Sequence, residues 1–147
     1  EQMVDASLFK LIQQAAKTSD PTGEKITISV PTDNIPIFPM QVQSIRRALI
    51  NLFTNAIRYA GKANAQIQIF DDHSEIIIDD NGPGIPRDKR DEVVLPFTRL
   101  ENSRNIKTGG TGLGLSIAKN SALNHGGELI LEESPLGGLR VRLLLPL

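Results

Sequence analysis

Four glycines fall within six positions in the stretch Gly109-Gly110-Thr111-Gly112-Leu113-Gly114-Leu115-Ser116. The residues from 113 to 123 then follow the spacing of a helix. Glycine lets backbone N–H groups approach a ligand closely, and a helix that starts there directs unpaired N–H groups and the positive end of its dipole at the same point. The stretch therefore predicts a phosphate-binding turn, with a flexible loop before a helix as the alternative.

The two common phosphate motifs do not fit this stretch. A P-loop requires Lys-Ser or Lys-Thr directly after its last glycine, whereas the first lysine here is Lys119. The dinucleotide fingerprint requires a further glycine shortly after the second and a strand just before the first. Here Leu115 and Ser116 follow Gly114, and the nearest predicted strand ends at Asp79. If a phosphate binds at this stretch, the fold that holds it is neither a P-loop nor a dinucleotide-binding fold.

The composition is that of one ordinary globular domain, residues 1–147, with 39% hydrophobic and 22% charged residues. A net charge of -1 argues against a nucleic-acid partner, and the lack of cysteine excludes disulfides and thiolate metal sites. No apolar run approaches the ~20 residues of a membrane-spanning helix. Because the chain starts at Glu1 without a signal-peptide pattern, we expect a fragment of a longer protein.

The order of predicted elements indicates an α/β (α+β) two-layer sandwich, in which a mixed sheet of about five strands is covered on one face by three helices. The long polar segment 87–111 is expected to be a functional lid. Periodicity and turn residues predict helices at 5–18, 41–60, 88–94 and 113–123, and strands at 25–30, 35–38, 65–70, 75–79, 128–132 and 139–145.

The helix 41–60 carries a polar face opposite its apolar stripe. Asn51, Asn55, Arg58 and Tyr59 recur at helical spacing on that face. A carboxamide oxygen is a hard ligand that suits Mg²⁺, and an arginine one turn along can neutralise phosphate charge. The alternative is a solvated helix face.

A second polar cluster, 79–85, follows the apolar strand residues 76–78. A carboxylate at the end of such a strand can accept a hydrogen bond from an exocyclic amine such as that of adenine, and the glycines let a flat base lie against backbone. The alternative is a plain Asp-Asn-Gly turn.

Four short motifs stand in series along the chain. They are NLFTNAIRY at 51–59, DNGPG at 80–84, PFTR at 96–99 and GTGLGL at 110–115. In that order they resemble the N, G1, F and G2 boxes of sensor histidine kinases. The resemblance covers nearly the whole chain. It implies the catalytic, ATP-binding domain of a two-component sensor kinase, with the Bergerat ATP-binding fold of gyrase and Hsp90-class ATPases.

The resemblance also implies roles for individual residues. Asn55 would hold Mg²⁺ with Asn51 beside it, and Asp80 would bind the adenine amine. Arg58 and Tyr59 would contact the phosphates and the sugar region. The remaining nucleotide-binding positions form the base pocket and the phosphate-facing helix start, namely Gly82, Gly84, Ile85, Gly110, Thr111, Gly112, Leu113, Gly114 and Leu115.

The lid contributes three further positions under the same resemblance. Phe97 would pack the lid, and Arg99 would approach the terminal phosphate, which completes a catalytic set with Asn51, Asn55 and Arg58. Lys107, like Arg104, either adds positive charge near the nucleotide or is an ordinary solvated loop charge.

Two departures from the family pattern are visible. Leu139 stands where the family often has a threonine near the adenine-bound water, so a bridging hydroxyl is not expected. Pro39-Met40 stands where Gly-Asp often precedes the N-box helix, so a different helix start is expected.

Two chemical arguments bear on which reaction this chain carries out by itself. In hydrolysing relatives a glutamate one turn before the metal asparagine serves as general base, and Asn51 occupies that position here, which predicts slow ATP hydrolysis. Neither histidine has the setting of a phosphoacceptor: His73 lies in an acidic hairpin turn, and His125 is expected at a helix C-terminus, where partial positive charge is favourable. The isolated chain is therefore not expected to phosphorylate itself.

The resemblance implies partners as well. They are ATP, the histidine-bearing dimerisation domain of the parent kinase and a response regulator, with no nucleic acid and no direct membrane contact by this domain. The implied location is cytoplasmic, in a parent protein anchored in the inner membrane. Two alternatives remain open: an ATPase or serine-directed kinase of the same superfamily, and a non-catalytic nucleotide-gated interaction module.

Overall fold

The computed structural model describes residues 1–29, 37–59, 61–95 and 114–147. The helices are α1 (Leu8–Ser19), α2 (Val42–Tyr59), α3 (Arg90–Val93) and α4 (Gly114–Asn124), with a 3-10 turn at Arg87–Lys89. The strands are β1 (Val4–Ser7), β2 (Ile26–Ser29), β3 (Ile37–Met40), β4 (Ala63–Ile69), β5 (His73–Asp80), β6 (Glu128–Glu133) and β7 (Leu139–Pro146).

Five strands form the main sheet in the order β2-β4-β5-β7-β6. Strand β2 is parallel to β4, while the other neighbours are antiparallel, so the sheet is mixed. The predicted number of strands and the predicted mixed pairing are confirmed.

The core lies between one face of this sheet and the three long helices. Buried side chains of α1, α2 and α4 pack with alternate residues of the central strands, among them Ile76 and Ile78 of β5. Because side chains alternate along a strand, Asp80 shares this helix-covered face, whereas Ile77 and Asp79 point to the opposite, open face. The expected two-layer arrangement of three helices on one face is confirmed.

The N-terminal residues differ from the sequence prediction. Residues 5–7 were predicted as helix, but they belong to β1, which pairs with β3 in a separate antiparallel two-stranded sheet. The reason is Ser7, which is extended and accepts a hydrogen bond from the Lys10 N–H at 3.3 Å, so it caps α1 and the helix begins at Leu8.

The element boundaries near the predicted site are close to expectation. Strand β5 runs through Asp80, which is therefore its last residue instead of the first residue of the turn. The predicted lid is described only as far as residue 95, as the 3-10 turn and α3, and its remainder lies outside the described residues. None of the helices in the described ranges combines the length and the hydropathy of a membrane crossing.

Candidate functional site

The start of α4 lies against the polar face of α2. A Cβ placed on Gly114 would come within 3.8 Å of the Asn51 Cβ and 3.9 Å of its carbonyl oxygen. The half-buried Asn55 and Arg58 follow Asn51 at one and two turns along the same helix. The fold therefore brings the N-box helix and the described end of the glycine-rich stretch together, as the sequence predicted.

Leu115 lies in the first turn of α4, at the helix start that the resemblance implied. Its side chain is buried and belongs to the hydrophobic core, so that side chain cannot face a phosphate. Only the backbone of Leu115, in the first turn of α4, remains available to a ligand.

Asp80 is held by backbone donors and by no cation among the described residues. Its side chain is buried, and Oδ1 accepts hydrogen bonds from the N–H groups of Gly82 at 2.9 Å and Leu139 at 3.0 Å. Within the described part of the chain, Oδ2 has no such donor. Leu139 thus takes part through its backbone although it lacks the hydroxyl that the family often has at this position.

Gly138 is a site residue that the sequence reading missed. A Cβ on Gly138 would collide with Asp80 Oδ1 and would lie 2.6 Å from both the Asp80 carbonyl oxygen and the Gly82 nitrogen. Gly84, which has a φ of +72°, also faces this residue, since its Cβ would lie 3.3 Å from the Gly138 carbonyl oxygen. The pair Gly137-Gly138 in a predicted hairpin turn was the available signal.

The chain that leaves α2 and the turn that follows the central strand β5 meet at one end of the sheet. Asn81 N–H donates to the Lys62 carbonyl oxygen at 3.4 Å, and Lys62 N–H donates to Asn81 Oδ1 at 3.1 Å. These bonds tie the turn after Asp80 to the chain that leaves α2. The turn after Asp80 and the end of α2 therefore form one corner of the molecule, and Asn55 and Asn51 lie one and two turns before that end of α2.

A cavity of about 610 Å³ lies beside this corner. It is lined by Gly84 and Ile85, by residues of the 3-10 turn and α3, and by the β6–β7 hairpin, including Gly138. Neither Asn51 nor Asn55 lines it. The cavity therefore lies against the glycine turn and is distinct from the space between α2 and α4.

The residues of this corner fit an adenine nucleotide and its magnesium ion. The spare Asp80 oxygen is an acceptor for an amine, and the glycines leave backbone open to a flat ring. An asparagine oxygen suits Mg²⁺, whose remaining ligands are commonly phosphate oxygens and water. The backbone of Tyr59 ends α2 at this corner, while Phe97, Arg99, Lys107 and residues 110–113 lie outside the described residues and stay predictions.

The two histidines are both engaged in the structure. His125 directly follows α4, as expected, and its Nε2 accepts a hydrogen bond from the Gln41 N–H at 2.9 Å. Its Nδ1 donates to the Ser121 carbonyl oxygen at 2.7 Å. The hydrogen bond with the Asp72 carboxylate raises the pKa of His73 above its ordinary value, and Glu75 adds to the effect.

The start of α2 is capped by residues from elsewhere in the chain. Besides His125, the Glu1 carboxylate accepts hydrogen bonds from the Gln43 N–H at 2.7 Å and the Ser44 N–H at 3.1 Å. These bonds lower the pKa of Glu1. Three of the N–H groups that a helix start leaves unpaired are satisfied in this way.

Comparison with known proteins shows to which family this chain belongs. Residues 40–147 match the family described as histidine kinase-, DNA gyrase B-, and HSP90-like ATPase. The chain belongs to this ATPase family. Sensor histidine kinase CpxA of Escherichia coli strain K12 is 34% identical over 139 residues, which cover 94% of this chain and 30% of that protein. Sensor-type histidine kinase PrrB of Mycobacterium leprae is 31% identical over 142 residues, or 95% of this chain and 31% of that protein.

Solved structures agree with this membership of the ATPase family. The histidine kinase domain of the E. coli osmosensor EnvZ has a TM-score of 0.75 at 31% identity, covering 100% of this chain and 90% of that one. The ATP binding domain of PrrB from Mycobacterium tuberculosis has a TM-score of 0.79 at 28% identity, covering 99% and 98%. The chain spans about a third of the length of the curated relatives named above.

Proposed function

We propose that this chain binds Mg-ATP and donates the γ-phosphate to a histidine on a separate dimerisation domain of a two-component sensor kinase. Family membership and the order of the four boxes support this proposal. The observation that carries it is the setting of Asp80. Its carboxylate is buried, one oxygen is fixed by two backbone N–H groups, and the other has no donor among the described residues.

The adenine ring would lie at Asp80. The exocyclic amine would donate to Oδ2, because Oδ1 already accepts the Gly82 and Leu139 N–H groups. The backbone of Gly84 and Gly138 would lie against the ring, where a side chain on either glycine would obstruct it. A purine that carries a carbonyl in place of the amine would bring a second acceptor against Oδ2, so no hydrogen bond could form there.

The triphosphate would lie between α2 and the start of α4. Asn55 would be the protein ligand of the magnesium ion, which supplies positive charge to the phosphates when bound. Asn51 lies beside the α4 start, and Arg58 would contact the phosphates one turn beyond Asn55. The N–H groups of the first turn of α4 would donate to phosphate oxygens, with Arg99 and Lys107 of the lid adding positive charge.

Transfer, and not hydrolysis, is the chemistry that these residues support. Asn51 stands where hydrolysing relatives have a glutamate, and a carboxamide cannot accept a proton from water at neutral pH. What the chain offers is positioning and charge neutralisation for an attacking group brought by another domain. We therefore expect only slow release of inorganic phosphate from ATP by this chain alone.

The acceptor histidine would lie on another domain. Both ring nitrogens of His125 are hydrogen-bonded, while His73 is bonded to Asp72 and stacked on Phe70, with the ring centroids 4.6 Å apart. We propose that the parent protein carries a phosphoacceptor domain, passes the phosphate to a response regulator, and holds this domain in the cytoplasm from an inner-membrane anchor.

The proposal is tested by phosphotransfer to the parent's helical domain. The two domains are mixed with Mg-ATP labelled in the γ-phosphate, and acid-labile, base-stable phosphate is measured on each. We expect label on the helical domain and none on this chain. Asn55→Ala is expected to reduce the transfer rate at least about a hundredfold, since it removes the proposed metal ligand and the contribution of the ion to charge neutralisation.

Asn64→Ala is the matched control, because Asn64 lies on the open face of β4 and its side chain bonds to Ser29 there. It is expected to transfer at the wild-type rate. Phosphohistidine on this chain alone, or equal transfer by Asn55→Ala and the wild type, would contradict the proposal. Rapid phosphate release without any acceptor would favour the ATPase alternative.

A further inference from the structure

Helices α2 and α4 run antiparallel and meet at two matched levels. Ser44 Oγ lies 2.6 Å from Ser121 Oγ near the start of α2. The second level is the approach of Gly114 to Asn51. Ser44 and Asn51 are seven residues apart, and so are Gly114 and Ser121. Two helical turns of about 10.5 Å therefore separate the two levels on both helices.

Between these levels each helix contributes one small buried side chain. Ala48 of α2 and Ala118 of α4, which occupy the intervening positions, are fully buried. Large interlocking side chains, which commonly fix how far one helix slides along another, are lacking at these positions. The hydrogen bonds at the Ser44 end are therefore directional contacts between the two helices that can define the axial register.

His125 adds a further contact between the two helices. It sits at the C-terminus of α4, where Gly126 N–H donates to the Leu123 carbonyl oxygen at 3.0 Å and Gly127 N–H donates to that of Ala122 at 2.8 Å. This double closure holds the ring in place. From there Nε2 accepts the Gln41 N–H at the start of α2, while Nδ1–H donates within α4 to Ser121.

We propose that His125 and the Ser44–Ser121 pair are positioning residues that set the axial register of α4 on α2. They thereby place the start of α4 at the level of Asn51. A slip of one residue would move Gly114 by about 1.5 Å along α2, and a slip of one turn by about 5.4 Å. This proposal rests on the proposed function, because the register would matter for the phosphates held between these helices and not for adenine held at Asp80.

The test compares the binding of ATP and of AMP in the wild type and in variants of its two histidines. Dissociation constants of both nucleotides are measured in Mg²⁺ by NMR titration for the wild type, His125→Leu and His125→Gln. His125→Leu is expected to weaken ATP about fivefold, the equivalent of one hydrogen bond, and to leave AMP within twofold. His125→Gln keeps an acceptor for the Gln41 N–H and is expected to restore ATP to within about twofold. His73→Leu removes the other histidine and is expected to change neither constant.

A second readout needs no nucleotide. Amide spectra of the same variants report the backbone N–H of Gly114 and the side-chain amide of Asn51, which lie about 16 Å along α4 from residue 125. His125→Leu is expected to shift both signals and His125→Gln to leave them near their wild-type positions. Where His125→Leu does not fold, Ser121→Ala, which deletes only the Ser44 contact, takes its place in both measurements.

The outcomes separate this proposal from the proposed function. Equal weakening of ATP and AMP, or unshifted Gly114 and Asn51 signals, would overturn the register role while leaving ATP binding intact. A wild-type chain that binds neither nucleotide would overturn the proposed function, and the two amide signals would still decide whether His125 sets the register.

Discussion

Two adjacent carboxylates at the end of β5 have opposite surroundings. Asp79 points to the open face of the sheet, where Arg140 donates to its two oxygens at 2.7 and 2.9 Å and the Ser134 hydroxyl donates at 2.9 Å. Asp80 points to the helix-covered face and accepts hydrogen bonds only from backbone N–H groups among the described residues. The charge of Asp79 is matched within the fold, whereas Asp80 keeps an oxygen for a ligand.

The same contrast extends along the whole strand. On the open face, Glu75 pairs with Arg142 at 3.1 Å, and Arg142 also pairs with Glu132 of β6. His73 lies in the same phase of the strand and contacts Glu75. On the helix-covered face the residues before Asp80 are the buried Ile76 and Ile78. A paired carboxylate stabilises the sheet, and an unmatched one beside an apolar wall is available for recognition.

Among the substitutions that test the difference between Asp79 and Asp80, Gly138→Ala is expected to have the largest effect. The added methyl group would meet Asp80 and Gly82 on the helix side and leave the Asp79–Arg140 pair untouched. We expect a loss of about 3 kcal/mol of unfolding free energy and at least tenfold weaker ATP binding, because backbone atoms would have to move. Denaturant unfolding and ATP titration measure both effects. Gly61→Ala is the control, because no atom outside its chain neighbours lies within 4 Å of the new methyl group. A small change in both stability and ATP affinity in Gly138→Ala would contradict the packing described above.

Arg140→Met is expected to have the next largest effect, and to act on stability alone. It removes the cation from the buried Asp79 carboxylate, which should cost about 2 kcal/mol of unfolding free energy. ATP affinity should stay within twofold of the wild type. The exposed Arg47 of α2, changed to Met, should alter stability by less than about 0.5 kcal/mol. A large loss of ATP affinity in Arg140→Met would mean that the two faces are not independent.

His73→Gln gives the smallest expected effect, and its sign depends on pH. Because the Asp72 hydrogen bond raises the pKa of His73 in the folded state, the wild type gains stability while the ring is protonated. That gain is fully present below the ordinary histidine value of about 6.5 and disappears as the pH rises through the folded-state pKa. Unfolding measured from pH 5 to 9 should show a wild-type advantage at the acid end only. A wild-type advantage in unfolding free energy that grows with pH would contradict the raised pKa of His73.

Much of this molecule could be predicted from its sequence, because local patterns determine it. Helix α2 was predicted within a residue at its start, since its apolar stripe and polar face are both strong. Asn51, Asn55 and Asp80 were named from their motifs, and the structure places Gly114 against Asn51 and Gly138 against Asp80. Their roles toward ATP, and the lid, stay predictions.

Two features that the sequence did not reveal depend on contacts between residues distant in sequence, and one miss has a local cause. His125 accepts a hydrogen bond from Gln41, 84 positions away, so this contact could not be inferred from its place at a helix end. Gly138 matters because of Asp80 on another strand. Periodicity extended α1 through Ser7 because the pattern alone does not weigh a capping hydroxyl against another turn of helix.

The most direct test of the central claim compares ATP with inosine triphosphate, which carries a carbonyl oxygen where adenine has its amine. Wild-type protein is expected to prefer ATP at least tenfold, since a hydrogen bond to a charged acceptor is worth about 1.5–3 kcal/mol. In Asp80→Asn the amide oxygen must stay at the Oδ1 position to accept the two backbone N–H groups, which leaves the amide nitrogen facing the base. Calorimetric titration should therefore show the preference reversed in this variant. Equal affinities for both nucleotides in the wild type, or an unchanged preference in Asp80→Asn, would contradict the assignment of Asp80 as the residue that binds the base.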